Sequence, residues 1–228
     1  MTTVLHVLGA TNAGKTTFLD QMSDLYPRGV RKVEIGKRLR LKYLDPGSPH
    51  FDPDKFKGQS NPKETAEEAW KLYLELTHEA VTEPGVEIVL VDGQPRDVEQ
   101  ARKVIELTGP GRRNEFALVH ADHSVRLERL AIRFGVEWDP AFEEMATNDI
   151  IDDVSPTIGA GKASEFALGV RRMSSDYRGL YDVLAELAQV GIVPKVLNTS
   201  GMAHGDDGVQ MVRAVCPTVW SMFNSEAL

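Results

Sequence analysis

Apolar runs and amphipathic stretches alternate along this chain with the two periods that strands and helices impose. Residues 3 to 8 contain Val4-Leu5-His6-Val7-Leu8, apolar at nearly every position, as in a parallel strand covered on both faces. A helix is predicted from Thr16 to about Tyr26, stopped by Pro27 and Gly29. Residues 30 to 42 read as a strand edge turning into a strongly basic segment, and Asp45 to Pro62 is rich in proline, glycine and aspartate and reads as loop. Lys63 to Val81 has helical periodicity, with Trp70 and Tyr73 as packing residues, closed by Glu83-Pro84-Gly85. A second core strand, Val86 to Val91, delivers Asp92 at its carboxyl end.

Further on, the pattern predicts a helix over Asp97–Leu107, stopped by Gly109-Pro110-Gly111. It then predicts a buried strand over Phe116–Val119 and a helix from about Ser124 to Phe134. Residues 135 to 169 break this rhythm: they are acidic and weakly periodic, with Phe142, Met145, Phe166 and Leu168 offering a small core and glycines around Ala160 a flexible tip. Arg171-Arg172 open a helix running to Gln189, and Val193 to Leu197 form a final strand whose proline suits an edge or first-residue position. A last helix runs from about 207 to Cys216, where Pro217 ends or kinks it, with Val219 and Trp220 beyond it placed to pack the chain end against the domain. Strands alternating with helices imply an α/β fold: a parallel five-stranded sheet with helices on both faces. Within the 228 residues the expected core is 1–34, 82–134 and 170–228. Residues 35–81 form an insertion, and 135–169 a lid of the kind drawn from the low-stability end of a structure.

Composition narrows the partners more than the fold. A formal net charge of -8 argues against a nucleic-acid backbone as partner. No apolar run approaches the length that crosses a bilayer, and the start of the chain lacks a basic flank followed by a long apolar segment, so no membrane partner is expected. One cysteine, Cys216, excludes an internal disulfide framework and fits a reducing compartment. A cytoplasmic enzyme is the expectation.

The chemistry concentrates behind the first strand. Gly9-Ala10-Thr11-Asn12-Ala13-Gly14-Lys15-Thr16 has the G-x-x-x-x-G-K-[ST] spacing between an apolar strand and a helix. Glycines let such a loop turn successive N–H groups toward a phosphate, and the helix N-terminus adds to the positive field. Gly9, Asn12, Ala13, Gly14, Lys15, Thr16 and Thr17 are therefore the expected donor-nucleotide site. Lys15 reaches the β- and γ-phosphates and the Thr16 hydroxyl ligates Mg²⁺. An ordinary glycine-rich turn would leave Lys15 without a purpose. Asp92, at the carboxyl end of its strand, is placed to help hold Mg²⁺ if that strand neighbours the first, or to cap the turn at Gly93; the two roles are compatible. Arg129 and Arg133 lie four apart on one helix face, where two like charges favour an anion between them. His120, Asp122 and His123 lack the further ligands of a metal cluster and read as a loop.

From Asp92 onward the pattern is familiar. Asp92-Gly93-Gln94-Pro95-Arg96 followed by Gln100-Ala101 resembles the Asp-Gly-Phe-Pro-Arg…Gln-Ala segment of the adenylate kinases and related nucleoside monophosphate kinases, with Gln94 in place of phenylalanine. Gly36, Leu39 and Arg40 resemble the monophosphate-binding Thr-Gly-Asp-x-Leu-Arg segment, with Ile35 and Lys37 replacing its threonine and aspartate. Arg129 and Arg133 match the arginine pair at the start of that family's lid. The resemblance implies a P-loop NTPase-like fold with an acceptor-binding insertion and a lid, and transfer of phosphate from ATP to a nucleoside monophosphate. It implies Gly36, Arg40, Arg96 and Gln100 around the acceptor, the last at its base, and Thr16 and Asp92 around Mg²⁺. Lys15, Arg96, Arg133 and a further lid arginine, Arg172 among Arg171, Arg172 and Arg178, would act on the transferred group, and Arg129 would lie near the donor base and phosphates. Three alternatives stay open: a kinase of a nucleoside or other small metabolite with Glu34 as general base, a nucleotide-hydrolysing regulatory protein, and a non-catalytic nucleotide-binding module. The sequence leaves the oligomeric state open.

Overall fold

Strand β1 (Thr2–Leu8) is the centre of the sheet because both of its faces are apolar: Val4 and Leu8 belong to one core cluster, Leu5 and Val7 to the other. In the computed structural model, residues 1–52, 63–107, 112–202 and 205–224 are described, without the side chains of 63–66, 174–178, 205–208 and 223–224. Around β1 are β2 (Val30–Glu34), β3 (Ile88–Asp92), β4 (Arg112–His120) and β5 (Lys195–Asn198), all paired in parallel in the order β2-β3-β1-β4-β5. The five-stranded parallel sheet expected from the sequence is thus present. The short edge strand β5 follows directly on Pro194, a residue that cannot donate to a ladder.

Helices cover both faces. On one lie α1 (Lys15–Leu25) and α8 (Gly205–Asn224), sharing a core of Phe18, Leu19, Met22, Val212 and Cys216 with the sheet. On the other lie α2 (Ile35–Leu44), α3 (Lys63–Thr82), α4 (Val98–Glu106) and the second half of α7 (Ala160–Gln189), which bury Leu39, Tyr73, Val104 and Leu187. Glu68 of α3 accepts from both Lys42 and Tyr43 of α2 and ties the two together. The Asp97 carboxylate caps α4 by accepting from Gln100 N at 2.8 Å. Residues 53–62 of the expected loop and the Gly109-Pro110-Gly111 stop lie outside the described residues.

Four local expectations need correction. Residues 135–169 are mostly helical: a 3-10 turn (Pro140–Glu143), α6 (Thr147–Ile158) and the first turns of α7. Together with α5 (His123–Phe134) they build a third core from Leu127, Leu130, Phe142, Ile150, Val154, Ala163, Phe166, Ala167, Val170 and Met173. The helical spacing of 163, 166, 167, 170 and 173 is carried partly by alanine, whose small apolar contribution hides the period. Gly159, at φ 80, makes the turn between α6 and α7, so the second helix begins at Ala160 rather than at Arg171. Pro217 does not end α8, because residues beyond it are anchored: Trp220 stacks on Tyr26 with centroids 4.0 Å apart and planes at 15°. Strand β4 starts four residues before Phe116. Its charged members are satisfied laterally, Arg112 by the Tyr73 hydroxyl at 2.7 Å and Arg113 by Glu115 at 2.8 Å.

Candidate functional site

The phosphate loop leaves β1 under steric pressure that only its sequence tolerates. Gly9 has φ 145, and a Cβ there would stand 2.3 Å from the Val119 carbonyl oxygen of β4. Asn12 and Gly14 also have positive φ, 60 and 96. Lys15 begins α1 and turns its ammonium inward over its own loop, donating to the Gly9 and Ala10 carbonyls at 2.7 and 2.9 Å. The backbone therefore curls around the lysine tip, where a phosphate chain would lie against N–H groups and the start of α1.

Asp92 arrives from the neighbouring strand. Its Cα is in register with Val7 of β1 on one side and Glu34 of β2 on the other. Strand alternation turns Asp92 to the face that α1 covers, since Ile88 and Leu90 pack on that side, and Thr16 stands in the first turn of α1. One Asp92 carboxylate oxygen is buried without a hydrogen-bond partner. An orphaned anionic oxygen beside the phosphate loop is a donor atom that Mg²⁺ suits, so Thr16 and Asp92 fit the expected ion. Glu34 differs: its carboxylate lies 3.5 Å from Lys37 and lines a groove of about 510 Å³ outside β2, with Lys32, Arg38 and Leu41. Among the described residues no group of three or more His, Cys, Asp or Glu is placed to hold a metal ion.

Two guanidiniums meet at the start of α2. A Cβ on Gly36 would be 3.5 Å from Arg40 Nη1 and 4.0 Å from Arg96 Nη2, so both forks stand over one helix N-terminus. They reach it from different elements, Arg40 from within α2 and Arg96 from the loop after β3. That loop is tightly held. Arg96 Nε donates to the Gly93 carbonyl at 2.8 Å, the Arg96 N–H donates to Gln100 Oε1 at 2.9 Å, and the Gln94–Pro95 peptide is cis. Gln100 is thus a brace for the Arg96 backbone through its oxygen. Gln94 is buried, and neither atom of its amide has a hydrogen-bond partner. Gly179 of α7 packs on the same loop, where an added Cβ would lie 3.0 Å from the Arg96 carbonyl.

On the other side of the loop, α5 contributes arginines. Arg129 donates to Asn12 O at 3.3 Å, to Thr199 Oγ1 at 3.0 Å and to Thr199 O at 2.7 Å, which locks the phosphate loop to the segment after β5. These acceptors are all neutral, and burial draws the guanidinium below its usual pKa. The Thr199 hydroxyl lies 2.8 Å from Ala13 O and 3.1 Å from His120 O. Arg133, one turn beyond Arg129, is exposed. Arg172 is half-buried in the middle of α7, whereas Arg171 Nη1 donates to the Glu143 carbonyl at 2.9 Å. The Asp176 and Arg178 side chains lie outside the described residues.

The structure adds two residues to those expected. Arg126 is completely buried and donates to the carbonyl of Thr11, in the phosphate loop, at 3.2 Å. Its only sequence signal is a charge three residues before Arg129, among the apolar positions of α5. Thr199 follows the last strand, at the same end of the sheet as the loop, and its burial is invisible in a polar Asn-Thr-Ser-Gly stretch.

No family model matches the sequence, and no curated protein does. Among solved structures, the chain is similar to one described as "Molecular and structural characterization of the PezAT chromosomal toxin-antitoxin system of the human pathogen Streptococcus pneumoniae". The TM-score is 0.52 at 15% identity, over 100% of this chain and 88% of that one. A likeness at that identity concerns the fold. The fold is α/β and P-loop NTPase-like, with the helices and parallel sheet that the sequence led one to expect. No described helix is long and apolar enough to cross a membrane.

Proposed function

We propose that the chain transfers the γ-phosphoryl group of ATP to a nucleoside monophosphate, giving the diphosphate. One observation carries this reading: Arg40 and Arg96 converge on Gly36 at the N-terminus of α2, at the same end of the sheet as the phosphate loop. Arginine forks grip phosphate bidentately, and a helix start favours the same charge, so the acceptor is expected to bring an anion there. The resemblance of Asp92 to Arg96 and of Gly36 to Arg40 to monophosphate kinase segments supports the same assignment.

In this reading a phosphate oxygen of the acceptor attacks the γ-phosphorus of ATP, the bond to the β–γ bridging oxygen breaks, and ADP leaves with that electron pair. Lys15 exchanges the Gly9 and Ala10 carbonyls for β- and γ-phosphate oxygens. Gly9, Asn12, Ala13, Gly14, Thr16 and Thr17 cradle the donor, and Arg129 braces that cradle beside it. Thr16 and Asp92 would hold Mg²⁺, which would supply positive charge to the donor phosphates. Arg40 and Arg96 align the acceptor, Gly36 leaves them room, and Gln100 holds Arg96 in register. Arg133 and Arg172 belong to the mobile side: residues 135–169 close as a lid, bring charge to the transferred group and keep water from it.

The test is a panel of ribo- and deoxynucleoside monophosphates with ATP and Mg²⁺, reading diphosphate formation separately from free phosphate. Diphosphate from at least one acceptor, without matching phosphate release, is the expected result. Free phosphate alone would instead indicate a hydrolysing protein, for which Arg40 and Arg96 have no task.

A further inference from the structure

Four groups form a continuous line from the phosphate loop to the 135–169 segment. The Thr11 carbonyl accepts from Arg126 Nη1 at 3.2 Å, and Arg126 Nη2 lies 3.0 Å from His123 Nδ1. The other ring nitrogen, Nε2, lies 2.8 Å from Glu143 Oε2. The Glu143 carbonyl in turn accepts from Arg171 of α7 at 2.9 Å. A guanidinium has only donors, so His123 Nδ1 must be the acceptor of that contact and the ring must carry its proton on Nε2, where it donates to Glu143. The ring is therefore neutral and held in one tautomer by partners on both sides. Arg126 in turn is a buried cation whose Nη1 donates to the loop's backbone and whose Nη2 meets the ring.

We propose that His123, held by Glu143, is a positioning residue for the phosphate loop: in its neutral tautomer it aims Arg126 at Thr11, and so sets donor affinity. The inference deepens the donor half of the reading above and does not need the acceptor to be a nucleotide. Movement of the 3-10 turn that carries Glu143 would free the ring, release Arg126 from it and so weaken ATP binding. Among the described residues, Arg126 on its own helix and Glu143 on the 3-10 turn face His123, with Arg171 of α7 behind Glu143. Asp122 precedes it and lies 3.5 Å from His120 rather than between His123 and its partners.

The experiment measures ATP binding directly, by calorimetry with Mg²⁺ at about pH 8. His123→Gln supplies one acceptor and one donor; His123→Leu supplies neither. The expected result is that His123→Gln binds within about twofold of wild type and His123→Leu about tenfold more weakly, one charge-assisted contact being lost. A folded His123→Leu that binds ATP like wild type would overturn the proposal, as would a His123→Gln that binds no better than a folded His123→Leu. Should His123→Leu fail to fold, Glu143→Ala takes its place, and ATP affinity unchanged in that variant would overturn the proposal. ATP binding without transfer to any monophosphate would sink the acceptor reading and leave this one standing.

Discussion

Lys15, Gly9 and His6 show three ways in which a single side chain, or its absence, is committed. Lys15 donates to the Gly9 and Ala10 carbonyls of its own loop. Lys15→Ala should lower kcat by at least about 10²-fold while thermal unfolding changes little, measured by coupled turnover and calorimetry. Gly9 is committed to shape. Gly9→Ala combines positive φ with a clash against the Val119 carbonyl, and should cost more than about 2 kcal/mol in urea unfolding. His6 is buried in β1, stacked on Phe116 at 5.1 Å with Nε2 3.4 Å from Asn114 Oδ1, and burial lowers its pKa to about 4. Unfolded, the ring recovers its ordinary value of 6.5, so between these values the unfolded chain binds the extra proton. Stability should therefore fall as pH drops from 6.5 to 4, by about 3 kcal/mol in all. A His6→Phe variant should show a shallower fall in the same urea titrations. The conformational role of Gly9 was legible in the motif's spacing. That of His6 was not, because one imidazole in an apolar run says nothing about how deeply its strand is covered.

At the scale of elements, the 135–169 segment has a core of its own, yet α7 runs unbroken from that core to the sheet. Phe166 touches both Phe134 of α5, with centroids 5.8 Å apart, and Phe142 of the 3-10 turn, at 5.6 Å. Truncating it to alanine should cost about 3 to 5 kcal/mol within that cluster. Hydrogen exchange should show the loss first in residues 140–173 and leave β1 and β3 protected. Uniform loss of protection would mean that the segment and the sheet unfold as one unit. Reading this segment as weakly periodic failed because Ala163 and Ala167 carry part of the buried stripe. Val219 and Trp220 pack beyond Pro217 as expected, and their tertiary contact outweighs one missing backbone hydrogen bond, so the helix continues through it. Where apolar side chains were large and the period unbroken, as in β1, β3 and α5, elements lay within a few residues of their expected bounds.

For the whole molecule, the strand order separates the two sets of residues proposed to bind phosphate. The loop after β1 and its braces on α5 and after β5 lie toward one edge; Arg40 and Arg96 follow β2 and β3 toward the other. Ligands of open parallel sheets bind outside the carboxyl ends of the strands, and both sets lie there. Changes to one set should therefore spare the other. Arg96→Ala should raise the acceptor KM about 10- to 100-fold, with the KM for ATP within about twofold of wild type, measured by varying each substrate at saturation of the other. Equal damage to both constants would mean that Arg96 serves the whole cleft rather than one half.

Local chemistry, read along the chain, was enough to specify the strands, the phosphate loop and the residue types around it. Those depend on spacing within some eight residues, which covalent geometry preserves. Tertiary structure alone decided that Arg40 and Arg96 share one glycine, that Glu34 turns to Lys37 and the outer groove, and that Arg126 is buried against Thr11. Each of these brings together groups from separate elements, or picks one face of a strand or helix over another. No one-dimensional pattern contains that choice: it is made when whole layers pack, by the burial available on each side.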